Sequence, residues 1–350
     1  MRSFWNEIYL YKIEENIKKI RSNTCKKIMA VLKGEAYGLG IEQISEYLED
    51  KVDCFAVSYL YEALKVHSNK DVLIMTPDFK VEDLSGVKEN FILTVDDYKT
   101  VYKFTNSDRQ FRVHIHVNTG MNRFGVNPES LGKFMEDIRS TSDNIHIEGI
   151  YTHLNNTANK NYTLQQIRQL KSCVSGHANE ALNIHLLNSN GFVKYNEHCD
   201  FDNMIRVGGM LYGYDASDKG YKKVYQHKAS PINIYKVEKG KYIGYGNLYK
   251  TRKNITVGVL DFGYIDKFYC PETIFDTKLF SLLGRIYYRS QYKKSIRYNG
   301  RPVKIIGSVN MNYTLIDMEG IPEDAILDVD ISAMSADSSV QKKYFYLPTP

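Results

Sequence analysis

Apolar positions change their period several times along this chain. From Ile8 to Ile20 they recur at Ile8, Ile13, Ile17 and Ile20, a helical rhythm, and the run Lys27–Lys33 that follows reads as a buried strand. Strand-like runs at 53–58, 71–76, 90–94, 111–118, 145–152, 183–188 and 203–207 then alternate with helical patterns at Ile41–Leu48, Tyr61–His67, Asp96–Phe104, Pro128–Ile138 and Leu164–Val174. Eight strand–helix units in about 190 residues predict an α/β fold, a closed parallel (β/α)8 TIM-type barrel with its functional groups at the C-terminal ends of the strands. An open doubly wound sheet is the alternative. After Asp215 the texture becomes β-rich: Ile232–Val237, Ile255–Leu260, Phe280–Tyr288, Val303–Val309, Tyr313–Met318 and Ile326–Ile331 are short runs punctuated by Gly or Asn. The expected organisation is a barrel over residues 1–220 and an all-β domain over 221–350, with the aromatic tail 344–350 lying against a surface without forming an element.

With 43% hydrophobic and 25% charged residues and only 8 prolines, the chain has the composition of an ordinary globular protein. Its +5 charge is spread in short groups such as Lys18-Lys19 and Lys222-Lys223, which argues against a nucleic-acid partner. Cys25, Cys54, Cys173, Cys199 and Cys270 are widely spaced and suggest neither a disulfide framework nor a zinc site, so a reducing compartment is expected. The polar start Met-Arg-Ser-Phe-Trp-Asn-Glu and the lack of a bilayer-length apolar run point to a cytoplasmic protein without membrane contact.

Candidate chemistry begins at Lys33, in Ala-Val-Leu-Lys-Gly-Glu-Ala-Tyr-Gly-Leu-Gly (30–40), where an apolar run delivers one amine into a glycine-rich turn. An amine at the end of a buried strand is partly desolvated, so its pKa falls and it becomes competent to form a Schiff base with an aldehyde cofactor such as pyridoxal phosphate. Tyr37 in the same turn offers a hydroxyl to a phosphate. Other strand ends carry polar groups: Arg123 after the fifth, His153 after the sixth, Asn188-Ser189-Asn190-Gly191 after the seventh, and Arg206-Val-Gly-Gly-Met after the eighth. In the last, Gly208 and Gly209 let backbone N–H groups approach an anion closely. Each has an ordinary structural explanation when taken alone. His114 and His116 alternate on one strand but lack a third matched ligand, so no metal is expected.

Taken in order, these motifs resemble those of alanine racemases, fold-type III pyridoxal-phosphate enzymes. The match runs through the Lys33 segment, Asn-Thr-Gly-Met-Asn-Arg-Phe-Gly-Val (118–126), Gly-Ile-Tyr-Thr-His (149–153), Asn-Ser-Asn-Gly and Ile-Arg-Val-Gly-Gly-Met-Leu-Tyr-Gly (205–213). It continues through Gly-Tyr-Gly-Asn-Leu-Tyr (244–249), Phe-Gly-Tyr-Ile-Asp (262–266) and Val-Asn-Met-Asn (309–312). The resemblance implies racemisation of a small free amino acid, most simply L-alanine to D-alanine, by a head-to-tail homodimer holding pyridoxal 5'-phosphate. By motif position, Lys33 would hold the cofactor, and Tyr245 of the partner subunit would be the second base. Tyr37, Ser189, Gly208 and Gly209 would hold phosphate. Arg206, supported by His153, would face the pyridine nitrogen. Arg123 would address the cofactor's phenolic oxygen and the substrate, while the partner's Tyr264 and the partner's Met311 would approach the substrate.

Departures from the family pattern are as informative. His116 and Asn118 stand where many relatives have a carbamylated lysine and an aspartate, so the anion that positions the arginine is missing and neutral acceptors, water or chloride would replace it. Asn312 replaces an aspartate, and the usual C-terminal tyrosine has only Tyr344 as a counterpart, which implies a pocket less restricted to alanine, with serine or a broader set as alternatives. Two competing functions are a fold-type III decarboxylase, disfavoured by Arg206, and a non-catalytic pyridoxal-phosphate carrier, disfavoured by the β-domain tyrosines.

Overall fold

The computed structural model describes residues 2–105, 107–214, 219–268 and 295–348; the expected strand Phe280–Tyr288, together with Cys270, lies outside the described residues. The chain forms two compact units, Lys12–Lys223 and a second composed of Met1–Tyr11 with Val224–Pro350. The first strand, β1 (Phe4–Tyr9), is therefore not part of the barrel, although residues 1–220 are expected there from sequence.

The first unit is a closed parallel barrel of eight strands. These are β2 (Lys27–Val31), β3 (Cys54–Val57), β4 (Val72–Ile74), β5 (Phe91–Val95), β6 (Phe111–His116), β7 (Ile145–Tyr151), β8 (Asn183–His185) and β9 (Met204–Val207). Seven of the eight fall inside a run predicted from sequence, and β5 overruns its run 90–94 by one residue, Val95. The barrel closes through β2 and β9, with Met29 opposite Arg206. Side chains alternate across each strand, and Met29, Val31, Cys54, Ala56, Leu73, Ile92 and Met204 form one apolar cluster. The same alternation on β5 to β9 presents Thr94, His114, His116, Tyr151, His185 and Arg206, all buried. One side of the barrel is thus apolar and the other carries hydrogen-bonding groups at nearly full burial.

β6 and β7 slip by one residue at Glu148, between the pairs Val113–Ile147 and His114–Gly149. The slip turns the Glu148 carboxylate toward Arg112, whose Nε donates to it at 2.7 Å and whose Nη1 and Nη2 hold Asp71 in a fork at 2.5 and 2.8 Å. Helices follow the strands: α1 (Leu10–Arg21), the short α2 (Lys33–Gly38), α3 (Ile41–Leu48), α4 (Leu60–Ala63), α5 (Tyr98–Thr105), α6 (Leu131–Thr141), α7 (Lys160–Val174) and α8 (Ser189–Tyr195). Helix α3 matches its sequence pattern residue for residue, because Ile41, Ile44 and Leu48 bury one face.

The second unit contains a six-stranded sheet in which β1 lies between β10 (Tyr225–Ala229) and β19 (Gln341–Phe345). Ile8, expected to open a helix, instead pairs with Tyr225 on one side and Tyr344 on the other; cross-strand pairing overrides the local helical period. The first two residues of the tail, Tyr344 and Phe345, likewise belong to a strand, because β1 offers an unpaired edge to Gln341–Phe345. A smaller sheet joins β11 (Pro231–Val237), β14 (Ile255–Leu260) and β17 (Thr314–Asp317). The expected strand Val303–Val309 reduces to one bridge between Ile305 and Ile316. Phe4, Phe262, Ile296, Ile316, Leu327 and Val329 build the core of this unit, with Phe4 stacked on Phe262 at 4.7 Å.

Gly149 sits at the slip, where a Cβ would lie 2.6 Å from the Asn183 carbonyl oxygen and 2.7 Å from His114 Nε2. Gly149→Ala should destabilise the barrel by about 1–3 kcal/mol through overpacking, read as a lower thermal midpoint. Adding His114→Ala should recover part of that loss, and a full loss in the double variant would show that the Asn183 backbone alone is responsible.

Candidate active site

Lys33 follows β2 after one residue, and the backbone behind it is strained. Gly34, Glu35, Ala36 and Tyr37 have φ of 62°, 56°, 52° and 59°, a left-handed turn in which three members carry a Cβ. Such a residue costs about 1–2 kcal/mol, so the turn persists only because its surroundings fix it. Two contacts do so. Ala36 N–H bonds the Leu32 carbonyl at 2.7 Å, and Gly34 N–H donates at 2.6 Å to the buried carboxylate of Glu62. The other oxygen of Glu62 accepts from Ser58 and Tyr59 N–H at 2.8 and 3.2 Å, so one carboxylate ties the end of β2 to the end of β3. Hydrogen bonds to a charged group contribute about 1.5–3 kcal/mol each, enough to offset much of the strain.

The turn carries Tyr37 back across the barrel end. Its ring stacks on Tyr214 at 5.9 Å and tilts against Tyr212 at 5.2 Å, and burial raises its hydroxyl to about 12, so it remains a neutral donor. A Cβ on Gly208 would collide with that hydroxyl, so only glycine allows the approach. Ser189 Oγ accepts N–H bonds from Gly208 and Met210, both at 3.2 Å. Tyr37, Ser189 and the Gly208-Gly209 backbone therefore meet in one place, as their motif positions predict.

Arg206 is buried with only neutral hydrogen-bond partners. Nη1 donates to His185 Nδ1 at 2.5 Å and to the His185 carbonyl at 3.1 Å, Nη2 donates to the Thr152 carbonyl at 2.7 Å, and the guanidinium lies 5.1 Å from the Tyr151 ring centre. Desolvation lowers it to about 10, still cationic at neutral pH. Because His185 Nδ1 accepts, its proton is on Nε2 and is donated to His114 Nδ1 at 2.9 Å. Tyr151 lies between His116 and His185, stacked on them at 4.5 and 4.9 Å. The side chain supporting Arg206 is thus His185 on the adjacent β8, not His153, which was expected in that role. His185 was missed from sequence, although its place two residues after Asn183 puts it on the lumen face of its strand. Glu62 was missed as well; its signal is the Tyr59-x-x-Glu62 spacing of a helix start.

Lys33, Arg123, His153 and Arg206 share one electrostatic environment. Partial desolvation, then the Arg123 and Arg206 guanidiniums, pull the Lys33 amine below the ordinary lysine value, and Glu62 opposes them. Among the described residues Arg123 has no ion-pair partner, and its guanidinium packs 5.5 Å from the Phe124 ring centre. Asn118 Oδ1 is engaged by Gly120 and Asn122 N–H, and His116 is held neutral, so neither residue supplies Arg123 with an anion.

The remaining expected residues belong to the β-rich unit. Tyr264 and Met311 are brought together by two backbone bonds of 3.1 Å, Tyr264 N–H to Asn310 and Ile265 N–H to Met311. Tyr245 occupies a turn between the short strands β12 (Tyr242–Ile243) and β13 (Tyr249–Lys250). All three are well exposed, at 74% for Tyr245, 47% for Tyr264 and 54% for Met311, and Ile265 and Tyr313 are exposed beside the last two. Among the described residues no group of three or more His, Cys, Asp or Glu is placed to hold a metal, and no helix is long and apolar enough to cross a membrane.

Family models described as alanine racemase, N-terminal domain and alanine racemase, C-terminal domain match residues 8–216 and 224–341. "Alanine racemase 2" of Clostridium acetobutylicum is 31% identical over 74% of this chain and 70% of its own length. The alanine racemase of Clostridium tetani is 30% identical over 97% of this chain and 88% of its own. Among solved structures, an alanine racemase of Clostridium difficile superposes with a TM-score of 0.83 at 21% identity, covering 99% of this chain and 96% of that one. A Bacillus anthracis alanine racemase with bound L-Ala-P gives 0.81 at 20% identity, covering 99% and 95%. At these identities the two superpositions show a shared fold.

Desolvation, reinforced by neighbouring cations, holds His114, His116 and His153 at about 3 and His185 well below its ordinary value. The unfolded chain binds these protons from about pH 6.5 downward and the folded chain does not, so stability is fully present above that pH and falls as pH drops. Each histidine should contribute a slope of about 1.4 kcal/mol per pH unit. Urea unfolding between pH 7 and 5 should show it, and His116→Phe, which keeps the ring stack, should remove one proton from the slope.

Proposed function

The chain belongs to the alanine racemase family, and from that premise we propose that it inverts the α-carbon of a small free amino acid, alanine first, in a pyridoxal 5'-phosphate-dependent reaction with two bases. Lys33 would be one base and the partner subunit's Tyr245 the other, within a head-to-tail homodimer. The observation that carries this reading is the juxtaposition, at one barrel end, of a lysine amine of lowered basicity with a buried guanidinium whose hydrogen-bond partners among the described residues are all neutral.

The residues present fit the cofactor. Gly208 leaves the space that a Cβ would fill beneath the Tyr37 hydroxyl, and Ser189 Oγ lies against the Gly208 and Met210 N–H groups, a set of donors suited to phosphate. Arg206 would donate to the pyridine nitrogen, Arg123 would address the phenolic oxygen and the substrate carboxylate, and Lys33 would hold the group covalently through Nζ. When bound, the cofactor supplies an electron sink that acidifies the substrate Cα–H. Lys33, freed by the substrate, would take or return the Cα proton at Nζ, and its lowered pKa favours the neutral amine that this requires. A single base tends to return its proton to the side it came from, so inversion needs a second group on the other face. The phenol oxygen of the partner subunit's Tyr245 would serve there, with the partner's Tyr264 and the partner's Met311 bounding the substrate. The exposure of Tyr245, Tyr264, Ile265, Met311 and Tyr313 supports a covering subunit, since apolar loop tips of this kind mark contact surfaces.

Serine is the second substrate candidate. Tyr344 is engaged in β19 opposite Ile8, where it has a strand role, and the family's pocket-narrowing tyrosine has no other counterpart.

Incubation with pyridoxal phosphate and single L-amino acids, followed by chiral chromatography, should give D-alanine, with D-serine next; carbon dioxide release without inversion would sink the assignment. Lys33→Ala should lose the yellow absorbance of the bound cofactor. Tyr245→Phe should keep the colour and slow inversion by about 10²–10⁴-fold. Mixing and refolding these two inactive variants should restore about a quarter of wild-type activity, the statistical share of intact sites if each site draws on both subunits. No recovery would place both bases in one chain.

A further inference from the structure

Among the described residues Glu62 is the one carboxylate whose field acts on the Lys33 amine, and it is fixed by contacts that no part of the two-base scheme requires. Its side chain is buried beside the barrel end, and its oxygens divide their work. One takes the Gly34 N–H, the first backbone donor after Lys33, at 2.6 Å; the other takes the Ser58 and Tyr59 N–H groups at 2.8 and 3.2 Å. No lysine or arginine forms an ion pair with it among the described residues; Lys65 on the same side of the barrel is paired with Glu35. The carboxylate is thus satisfied by backbone donors while its charge remains directed at its surroundings.

We propose that Glu62 is a positioning residue for Lys33, locking the left-handed turn behind the lysine and supplying the negative charge that offsets the two arginines in front of it. This rests on Lys33 being the cofactor-bearing amine. The charged and titratable groups facing Lys33 are Arg123 and Arg206, His153, which is held neutral, the neutral Tyr37 hydroxyl, and Glu62. Both arginines favour the free amine; Glu62 favours the ammonium. An amine exposed only to the cations would lose its proton too readily to return one to the substrate. With Glu62 in place, the amine can exchange a proton in both directions, as a reversible inversion demands.

Glu62→Gln keeps the side chain's size but removes the charge, and it replaces one acceptor oxygen by an amide that points hydrogens at a backbone N–H. Glu62→Asp keeps the charge but is one methylene too short to span Gly34 and Ser58 together. The test uses the cofactor-free protein: reductive methylation with formaldehyde and cyanoborohydride across pH 6–10, read at each lysine by peptide mass spectrometry, with hydrogen exchange of the 33–37 segment measured in parallel. In folded Glu62→Gln the Lys33 midpoint should fall by about half a pH unit or more while that of Lys65 stays in place. Exchange of the 33–37 segment should rise about tenfold or more in both variants. Glu62→Asp should move the Lys33 midpoint less than Glu62→Gln does.

An unmoved Lys33 midpoint in folded Glu62→Gln would overturn the proposal, leaving Glu62 a plain structural brace. If Glu62→Gln does not fold, unchanged exchange of the 33–37 segment in Glu62→Asp would overturn it. Borohydride trapping of the cofactor separates this outcome from failure of the underlying assignment. A tag on a different lysine would dismiss Lys33 as the anchor, whereas the methylation midpoint would still report whether Glu62 governs its charge.

Discussion

A guanidinium buried in the barrel, hydrogen-bonded among the described residues only to neutral groups, sets the terms for everything around it. Removing such an ion from water costs several kcal/mol even after the protein relaxes, and here the return comes from neutral acceptors, the His185 ring and carbonyl and the Thr152 carbonyl, together with the face of Tyr151. That shell works only while it stays neutral. His185 must present a bare Nδ1 to Arg206, which fixes its proton on Nε2 and makes His114 the next acceptor. A second positive charge on His185 would face Arg206 across one hydrogen bond, and one on His114 across two. The lowered basicity of four histidines and of Lys33 therefore has a common origin in desolvation, reinforced by neighbouring cations.

The barrel accommodates this by dividing its lumen. On the side of β2, β3 and β4, Met29, Val31, Ala56 and Leu73 pack as an ordinary apolar core. On the side of β6 to β9 the same inward positions hold imidazoles, a phenol and the guanidinium, and close stacking of His116, Tyr151 and His185 recovers dispersion energy that polar side chains would otherwise forfeit. Even so, both ring nitrogens of His116 are buried without a hydrogen-bond partner among the described residues, a cost accepted on the side that faces Arg123 and Arg206. Strain is concentrated at the barrel end as well, in the left-handed turn after Lys33. The apolar side and the regular helices supply the stability that both features draw on.

The barrel was legible from sequence because its signals are local. Each strand is a short apolar run bounded by turn residues, and each matches its predicted segment to within one residue. The β-rich unit was less legible because its strands are defined by partners far away in the chain. β1 at the N-terminus and β19 at the C-terminus are neighbours, and neither Ile8 nor Tyr344 announces that pairing locally. The candidate site shows the same division. Lys33, Tyr37, Ser189, Arg206 and Gly208 stand at strand ends in recognisable motifs, and the structure gathers them. His185 and Glu62 escaped because each acts through a neighbour, one holding a guanidinium and the other a backbone turn. Such roles become visible only when two elements are placed side by side.

In the proposed two-base scheme, the topology also accounts for the need for a second unit. All eight strands of a parallel barrel run the same way, so the groups they present at their C-terminal ends all come from the barrel side. Lys33 and Arg206 follow or lie on the adjacent strands β2 and β9, which fixes their mutual placement and leaves the outer face of the site to another element. An acid on that outer face must be carried by a different element, and in an enclosed site that element must also exclude water. The turns bearing Tyr245, Tyr264 and Met311 have the needed chemistry, a phenol among exposed apolar side chains on a separate unit. The solvent exposure of these residues is unfavourable for an isolated chain, and burying them against a second copy would relieve that exposure while completing the site.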